Sequence, residues 1–127
     1  MDNKTLFRRA EVACERAYAP YSGFRVGAAV LTASGEVFEG ANVENSSYGA
    51  TICAERVAVS KAVTEGHKDD IVAVAIASSG VDPAFPCGIC RQFIFEFGDD
   101  IRVIVGKDDS HLEEYSISEL LPHGFRL

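Results

Sequence analysis

Ile71-Val72-Ala73-Val74-Ala75-Ile76-Ala77 is the stretch that decides the fold, because it is apolar throughout and has the length of one strand. Such a run is typical of a strand buried on both faces of a sheet. A loop with two prolines follows, and the sequence then predicts a helix over 87–97, ended by Gly98, and a strand over 101–105. Strand, helix and strand in this order predict a parallel unit with a right-handed crossover.

The segments outside this unit predict the other strands and the helices that cover the sheet. Apolar periodicity and turn residues place them as follows: helices over 4–18 and 51–64, a hairpin of strands over 26–32 and 36–40, and a weak antiparallel strand over 112–115. Ser116 and Glu119 form a capping box for a short last helix. We therefore expect one α/β domain over 1–127, built on a mixed five-stranded sheet.

Composition and charge disfavour several classes of protein. With 127 residues, 47% of them apolar, the chain can form one domain with a sizeable core. The start has no apolar stretch typical of a signal peptide, and no run approaches the roughly 20 apolar residues of a membrane span. We therefore expect a cytoplasmic protein in a reducing compartment. A net charge of −7 disfavours a polynucleotide substrate, because nucleic-acid binders usually carry a basic stripe.

Three cysteines and one glutamate suggest the chemistry. Cys53 and the pair in Cys87-Gly88-Ile89-Cys90 lie at or near the starts of predicted helices, where the backbone stabilises a thiolate. Thiolates bind zinc well, and three protein ligands leave a fourth position open for water, as in catalytic zinc sites. Glu55 follows Cys53 by two residues, so it is placed to handle the proton of that water.

The cysteines allow two other interpretations, a structural zinc site and a redox pair. A structural zinc site needs four protein ligands, and none of the three histidines stands near the cysteines in the sequence. A redox pair would leave Cys53 and Glu55 without a role. Cys14 has no partner at metal-binding spacing, so we expect it in the core. Either Arg56 or Arg91 could donate hydrogen bonds to ligand sulfurs and offset their negative charge.

Several separate motifs run along nearly the whole chain: Ala19-Pro20-Tyr21-Ser22-Gly23-Phe24, Val26-Gly27-Ala28-Ala29, Asn42-Val43-Glu44-Asn45, Cys53-Ala54-Glu55-Arg56, Pro86-Cys87-Gly88-Ile89-Cys90-Arg91-Gln92, and Leu120-Leu121-Pro122 with Phe125. With these motifs the chain resembles the small, homotetrameric cytidine deaminases of pyrimidine salvage. Three zinc ligands, a glutamate that is not a ligand and a Pro-Cys-x-x-Cys run are the features of zinc deaminases. The resemblance implies a three-layer α/β/α fold and the hydrolysis of cytidine and deoxycytidine to uridine and deoxyuridine, with release of ammonia.

The resemblance also implies roles around the metal. Cys53, Cys87 and Cys90 would bind one Zn²⁺ per chain. Glu55 would carry the proton from water to N3 of the base and then to the leaving amine. Arg56 would donate a hydrogen bond to a ligand sulfur.

The nucleoside contacts are implied in the same way. They fall on four residues of one chain: Phe24, Asn42, Glu44 and Ala54. Asn42 and Glu44 would bond the ribose hydroxyls, although a core phenylalanine and a turn asparagine are the ordinary interpretations of Phe24 and Asn42. Phe125 would reach the base from a neighbouring subunit, so the homotetramer would share its active sites. A role for Tyr48 is left open.

Competing functions come from other classes of protein. A deaminase of a modified cytosine nucleoside, such as blasticidin S, resembles the chain in the zinc motifs but less around Phe24 and Phe125. A polynucleotide-editing deaminase would need a basic groove. A zinc-stabilised interaction module without catalysis would tolerate the loss of Glu55. A cytidine assay followed by UV absorbance separates these alternatives.

Overall fold

A computed structural model describes all 127 residues, with ten short elements of secondary structure. In chain order these are α1 (Asn3–Cys14), β1 (Val26–Thr32), β2 (Val37–Ala41), a 3-10 turn (Tyr48–Ala50), α2 (Ala54–Thr64), β3 (Ile71–Ser78), α3 (Gly88–Phe95), β4 (Arg102–Gly106), β5 (Leu112–Ser116) and α4 (Ile117–Leu120). No helix among them combines the length and the apolar character needed to cross a membrane.

The five strands form one mixed sheet in the order β2-β1-β3-β4-β5. Strands β3 and β4 are connected by helix α3 and pair in parallel, as the apolar run and the helix after it predict. The other three pairings, β1 with β2, β1 with β3, and β4 with β5, are antiparallel. The predicted hairpin, the parallel unit and the returning last strand are therefore confirmed.

Helices cover both faces of this sheet, which gives the three-layer α/β/α arrangement. Leu6, Phe7 and Ala10 of α1 pack on one face, against side chains of β1, β3 and β4. Helices α2, α3 and α4 pack on the other face, around Val30, Val74 and neighbouring core residues. Alternate residues of β1 and β3 thus point into two separate cores, and both strands are buried almost from end to end.

Two glycines let the helices approach the sheet closely. A Cβ on Gly27 would lie 2.1 Å from the carbonyl oxygen of Ala10 in α1. A Cβ on Gly40 would lie 2.6 Å from the amide nitrogen of Ala58 and 2.9 Å from the carbonyl oxygen of Ala54, both in α2. The position of α2 relative to β2 therefore depends on the missing side chain of Gly40.

Helix ends differ from the prediction where the backbone forms hydrogen bonds with distant segments instead of continuing the helix. The first helix was expected to reach residue 18 but ends at Cys14, because the backbone of Tyr18 pairs instead with Asn42 and Glu44. The helix expected from residue 51 begins at Ala54, since Ile52 forms a bridge with Val43. The helix expected over 87–97 ends at Phe95 in a tighter turn. Cys14 lies in the core, as expected.

The ring of His67 forms a contact between two segments that are distant in the sequence. Its Nδ1 lies 3.0 Å from Asp70 and its Nε2 lies 2.5 Å from Glu36, so the ring joins the turn after α2 to the β1–β2 hairpin. Only 17% of this side chain is exposed, and its ring packs against Phe38. The sequence places Glu36 and Phe38 some thirty residues away and gives no sign of this contact.

Candidate active site

The three cysteines meet where two helices begin. Cys53 is the N-cap of α2, Cys87 is the N-cap of α3, and Cys90 lies in the first turn of α3. Their sulfur atoms all lie within 4.8 Å of one another, and those of Cys53 and Cys87 are 3.9 Å apart. Zn–S bonds of about 2.3 Å in tetrahedral geometry place sulfurs about 3.8 Å apart. The Cys53–Cys87 distance matches this geometry, and the whole cluster is compact enough to hold a zinc ion.

The helix starts and neighbouring donors favour thiolates in this cluster. A hydrogen bond from the Cys90 thiol lowers the pKa of Cys53 to about 5, and Arg56 acts in the same direction. The shared proton and burial raise the pKa of Cys90. Metals bind cysteine as the thiolate, so a metal cation would displace the remaining thiol protons and bind these sulfurs as thiolates.

Arg56, rather than Arg91, serves the cluster. Its Nη2 lies 3.5 Å from the sulfur of Cys53 and 3.3 Å from the carbonyl oxygen of Thr51. Its Nε is buried without a hydrogen-bond partner in the protein. Arg91 points elsewhere: it donates to the carbonyl oxygens of Pro86 and Leu120, and so ties the cysteine loop to the C-terminal segment.

Glu55 lies on the first turn of α2, directly beside the sulfurs. Its side chain is buried, with 4% of the residue exposed. Burial raises the pKa of this carboxyl to about 7, and the charge of Cys53 adds to the shift. A carboxyl whose pKa lies near neutrality can both accept and return a proton at physiological pH. The position and the burial are those of a proton carrier.

A pocket of about 270 Å³ opens above Glu55 and two of the cysteines. Its lining combines polar and apolar residues. The polar ones include Ser22, Asn42, Glu44 and Thr51. The apolar ones include Phe24, Val26, Ile76, Ala84 and Phe85. Such a pocket suits a small ligand with a flat apolar part and a hydroxylated part.

Asn42 and Glu44 line the pocket, and both are already held by the protein. Asn42 is buried, donates to the carbonyl oxygen of Phe24 at 2.9 Å and accepts from the amide of Val26 at 2.8 Å. Glu44 accepts from the amides of Tyr21 and Ser22 and from the hydroxyl of Ser22. Each group keeps hydrogen-bonding capacity for a ligand, because an amide has four sites and a carboxylate about four lone pairs.

The hydrogen bonds to Glu44 have two consequences. They hold the pKa of its carboxyl below the ordinary value, Ser22 contributing most, so the group is negative at neutral pH. They also fix the loop that carries Phe24, which is 45% exposed on the pocket wall. Ala54 lines the pocket as the first residue of α2, where a backbone N–H has no partner within the helix.

Phe125 and Tyr48 stand apart from this pocket within the chain. Phe125 is 66% exposed, and its carbonyl oxygen accepts a hydrogen bond from Gln92 on α3. Tyr48 is 74% exposed and packs edge-on against Tyr21, beside a neighbouring cleft that shares Ser22, Glu44 and Thr51 with the pocket. Neither ring lines the pocket of its own chain.

Several pocket residues were not singled out from the sequence. Ser22 stands in a polar loop motif, which was a usable signal for it. Thr51 and Ala84 belong to loops without a distinctive pattern, and Phe85 precedes the Pro-Cys-x-x-Cys run without belonging to it. Their positions depend on how three loops meet at the carboxyl end of β3, which local patterns do not encode.

The comparisons with known proteins agree with this geometry. Residues 1–107 match the family model of the cytidine and deoxycytidylate deaminase zinc-binding region. The chain belongs to this family. It is 47% identical over 126 residues to a cytidine deaminase of Halalkalibacterium halodurans, covering 98% of this chain and 95% of that protein. It is 34% identical over 121 residues to a blasticidin-S deaminase of Bacillus cereus, covering 88% and 86%.

A solved structure gives the same result for the fold. The crystal structure of a cytidine deaminase from Burkholderia pseudomallei superimposes with a TM-score of 0.93 at 41% identity, covering 98% of this chain and 100% of that one. The family fold expected from the motifs is thereby confirmed. The matched region of the family is a zinc-binding region, so the cofactor is zinc, and the three-cysteine cluster is able to hold a metal ion.

Proposed function

We propose that the protein catalyses the hydrolytic deamination of cytidine and deoxycytidine to uridine and deoxyuridine. The observation that carries this proposal is the buried carboxyl of Glu55 beside three clustered sulfurs, in a pocket lined by both polar and apolar residues. Relatives with high coverage bear the name cytidine deaminase. The reaction adds the oxygen of water to C4, breaks the bond from C4 to the amino nitrogen and releases ammonia.

Cys53, Cys87 and Cys90 would hold the zinc ion, which as a Lewis acid favours the loss of a proton from water. Glu55 accepts that proton and passes it to N3 of the base. It then takes the second proton of the former water from the new hydroxyl on C4 and passes it to the departing amine, so that C4=O forms as the bond from C4 to nitrogen breaks. Its buried position keeps bulk water from competing for these protons. A single carboxyl suffices because it is free again after each transfer.

The remaining pocket residues bind and orient the nucleoside. Asn42 and Glu44 receive the sugar hydroxyls, while Phe24 packs against the base. The N–H of Ala54 is available to an oxygen of the base. Arg56 is a positioning residue that offsets the charge of the thiolates through its contact with Cys53.

Charge favours a nucleoside over a nucleotide. Two carboxylates line the pocket, and no lysine or arginine lines it. A 5′-phosphate would add up to two negative charges, and two unit charges 4 Å apart repel by about 4 kcal/mol at an effective dielectric constant of 20. The net charge of −7 adds a long-range repulsion that salt screens.

Steady-state kinetics test the assignment. We expect efficient turnover of cytidine and deoxycytidine, followed by UV absorbance, and far poorer turnover of CMP, dCMP, single-stranded DNA and blasticidin S. Glu55→Gln should keep zinc and the fold but lose at least about 10²–10⁴-fold in kcat. Comparable efficiency on CMP would overturn the nucleoside assignment, and preferred turnover of blasticidin S would favour the antibiotic deaminase. Near-normal turnover by Glu55→Gln would overturn the role of the glutamate.

The assembly is a second part of the proposal. We propose a homotetramer in which Phe125 completes the site of a neighbouring subunit. This is supported by its exposed ring outside its own pocket and by the exposed Ile89 on α3, where an apolar face is open. Truncation before Phe125 should reduce activity more than stability. Sedimentation that gives a fully active monomer would contradict this assembly.

The proposed setting is pyrimidine salvage in the cytoplasm. Thiolate ligands persist in a reducing compartment, where disulfides are rare. All four cysteines are free in the structure.

A further inference from the structure

One aromatic side chain of the pocket has no role in the chemistry described so far. Phe85 lies in the loop between β3 and α3, two residues before Cys87, and its side chain lines the pocket. The residue is 42% exposed, although it is large and apolar. An apolar ring that is left open inside a pocket is available to contact a ligand.

Phe85 is held against movement away from the pocket. Its ring packs against that of Tyr115 on β5, with centroids 5.6 Å apart and planes tilted by 58°. The hydroxyl of Tyr115 donates to Glu113 at 2.6 Å, which fixes that ring in turn. On the chain side, Pro86 restricts the backbone, and its carbonyl oxygen accepts a hydrogen bond from Arg91 at 2.8 Å. The wall that Phe85 forms is therefore stiff.

The chemistry of each edge of the cytosine ring determines which edge lies beside Phe85. O2, N3 and the 4-amino group need hydrogen-bond partners, and Glu55 with the start of α2 supplies them. The edge from C5 to C6 carries only hydrogen and needs an apolar neighbour. C4 must face the sulfur cluster, and C5 is bonded to C4. The edge at C5 therefore falls beside the chain segment that leads into Cys87, where Ala84 and Phe85 are apolar residues of the lining.

We propose that Phe85 is a specificity-determining residue that limits the size of the substituent at C5 of the pyrimidine. The inference rests on the proposed deamination of cytidine. The ring leaves room for hydrogen at C5, whereas an added methyl or ethyl group would press against a wall that cannot retreat. One methylene in a pocket of this kind changes kcat/KM by roughly 10–200-fold.

Relative kinetics on cytidine, 5-methylcytidine and 5-ethylcytidine test this inference. For each protein, kcat/KM on the 5-ethyl compound is divided by that on cytidine, so that losses of folded protein cancel. The ratio of each variant is then compared with that of wild type, so that the electronic effect of the ethyl group cancels. Phe85→Ala should raise this ratio by about 10–100-fold. Phe85→Leu should raise it less. Val81→Ala is the matched control, because Val81 lies exposed in the same loop outside the pocket and its ratio should stay at the wild-type value.

The outcomes separate the inference from the function on which it rests. A ratio within twofold of wild type in both Phe85 variants, with measurable cytidine turnover, would overturn the role of Phe85 and leave the deaminase assignment intact. Wild-type protein that fails to deaminate cytidine would overturn the proposed function. The size limit is then decided by calorimetric binding of uridine and 5-ethyluridine to wild type and Phe85→Ala. An unchanged ratio of affinities between the two proteins counts against the inference.

Discussion

Gly40→Ala should displace the helix that carries Glu55. The new Cβ would lie 2.6 Å from the amide nitrogen of Ala58, whereas ordinary van der Waals contact begins near 3.4 Å, so α2 must retreat by about 0.8 Å. Both nearest atoms belong to the helix backbone, which cannot rotate out of the way. Overpacking of this kind costs about 1–3 kcal/mol in the free energy of unfolding.

The catalytic effect should be of similar size to the effect on stability. A misplacement of about 1 Å can cost 10²-fold in rate, and the Ala54 carbonyl that the new Cβ would crowd at 2.9 Å is next to Glu55. Urea denaturation measures the change in stability. The value of kcat on cytidine at saturating zinc measures the loss of rate that the displaced helix causes. Gly49→Ala is the matched control, since no atom lies within 4 Å of its added Cβ. A Gly40→Ala protein with unchanged midpoint and unchanged kcat would refute the close-approach argument.

Three further predictions follow from single side chains. Cys87→Ser should bind less than one zinc per chain by atomic absorption, whereas Cys14→Ser, altered in the core away from the cluster, should keep full zinc; equal loss in both would contradict the ligand assignment. Arg56→Ala should release zinc faster to a chromogenic chelator, because a thiolate loses a donor, and an unchanged rate would show that Arg56 does not stabilise the bound metal. The hydrogen bond and charge of a neighbouring aspartate raise the pKa of His67 above 6.5, so its stabilisation is complete below pH 6.5 and fades as pH rises through the folded value. The difference in Tm between wild type and His67→Gln should therefore be larger at pH 6 than at pH 9, and a difference independent of pH would rule out the ion pairs.

Much of the sheet could be predicted because burial leaves a local trace. The run over 71–77 is apolar on both faces, and the structure buries both faces of β3. The end of α1 could not be predicted in the same way. Ala17 and Tyr18 continue the apolar stripe, but the backbone of Tyr18 forms hydrogen bonds to residues 42 and 44, which the helical pattern does not anticipate. A long-range pairing there overrode a local preference.

The residues of the candidate site also fall into those that could be predicted from local patterns and those that could not. Its cysteines and Glu55 could be predicted because metal ligands need particular residue types at particular spacings. The choice between Arg56 and Arg91 could not, because both follow a motif residue directly. Only the fold turns Arg91 towards Leu120, 29 residues further along the chain. The burial of Glu55 and the place of Phe85 likewise depend on how loops meet around the pocket.

Two helices begin at one sulfur cluster, and this arrangement has a consequence for the stability of the protein. Cys53 and Cys87 are 34 positions apart, and the chain between them contains α2 and the central strand β3. A metal held there closes that segment into a ring and ties its ends, so binding free energy becomes resistance to unfolding. At free zinc 100 times the dissociation constant, the gain is about 2.7 kcal/mol. The melting temperature would then depend on the concentration of free zinc. A shortage of zinc would lower the amount of folded protein as well as its activity.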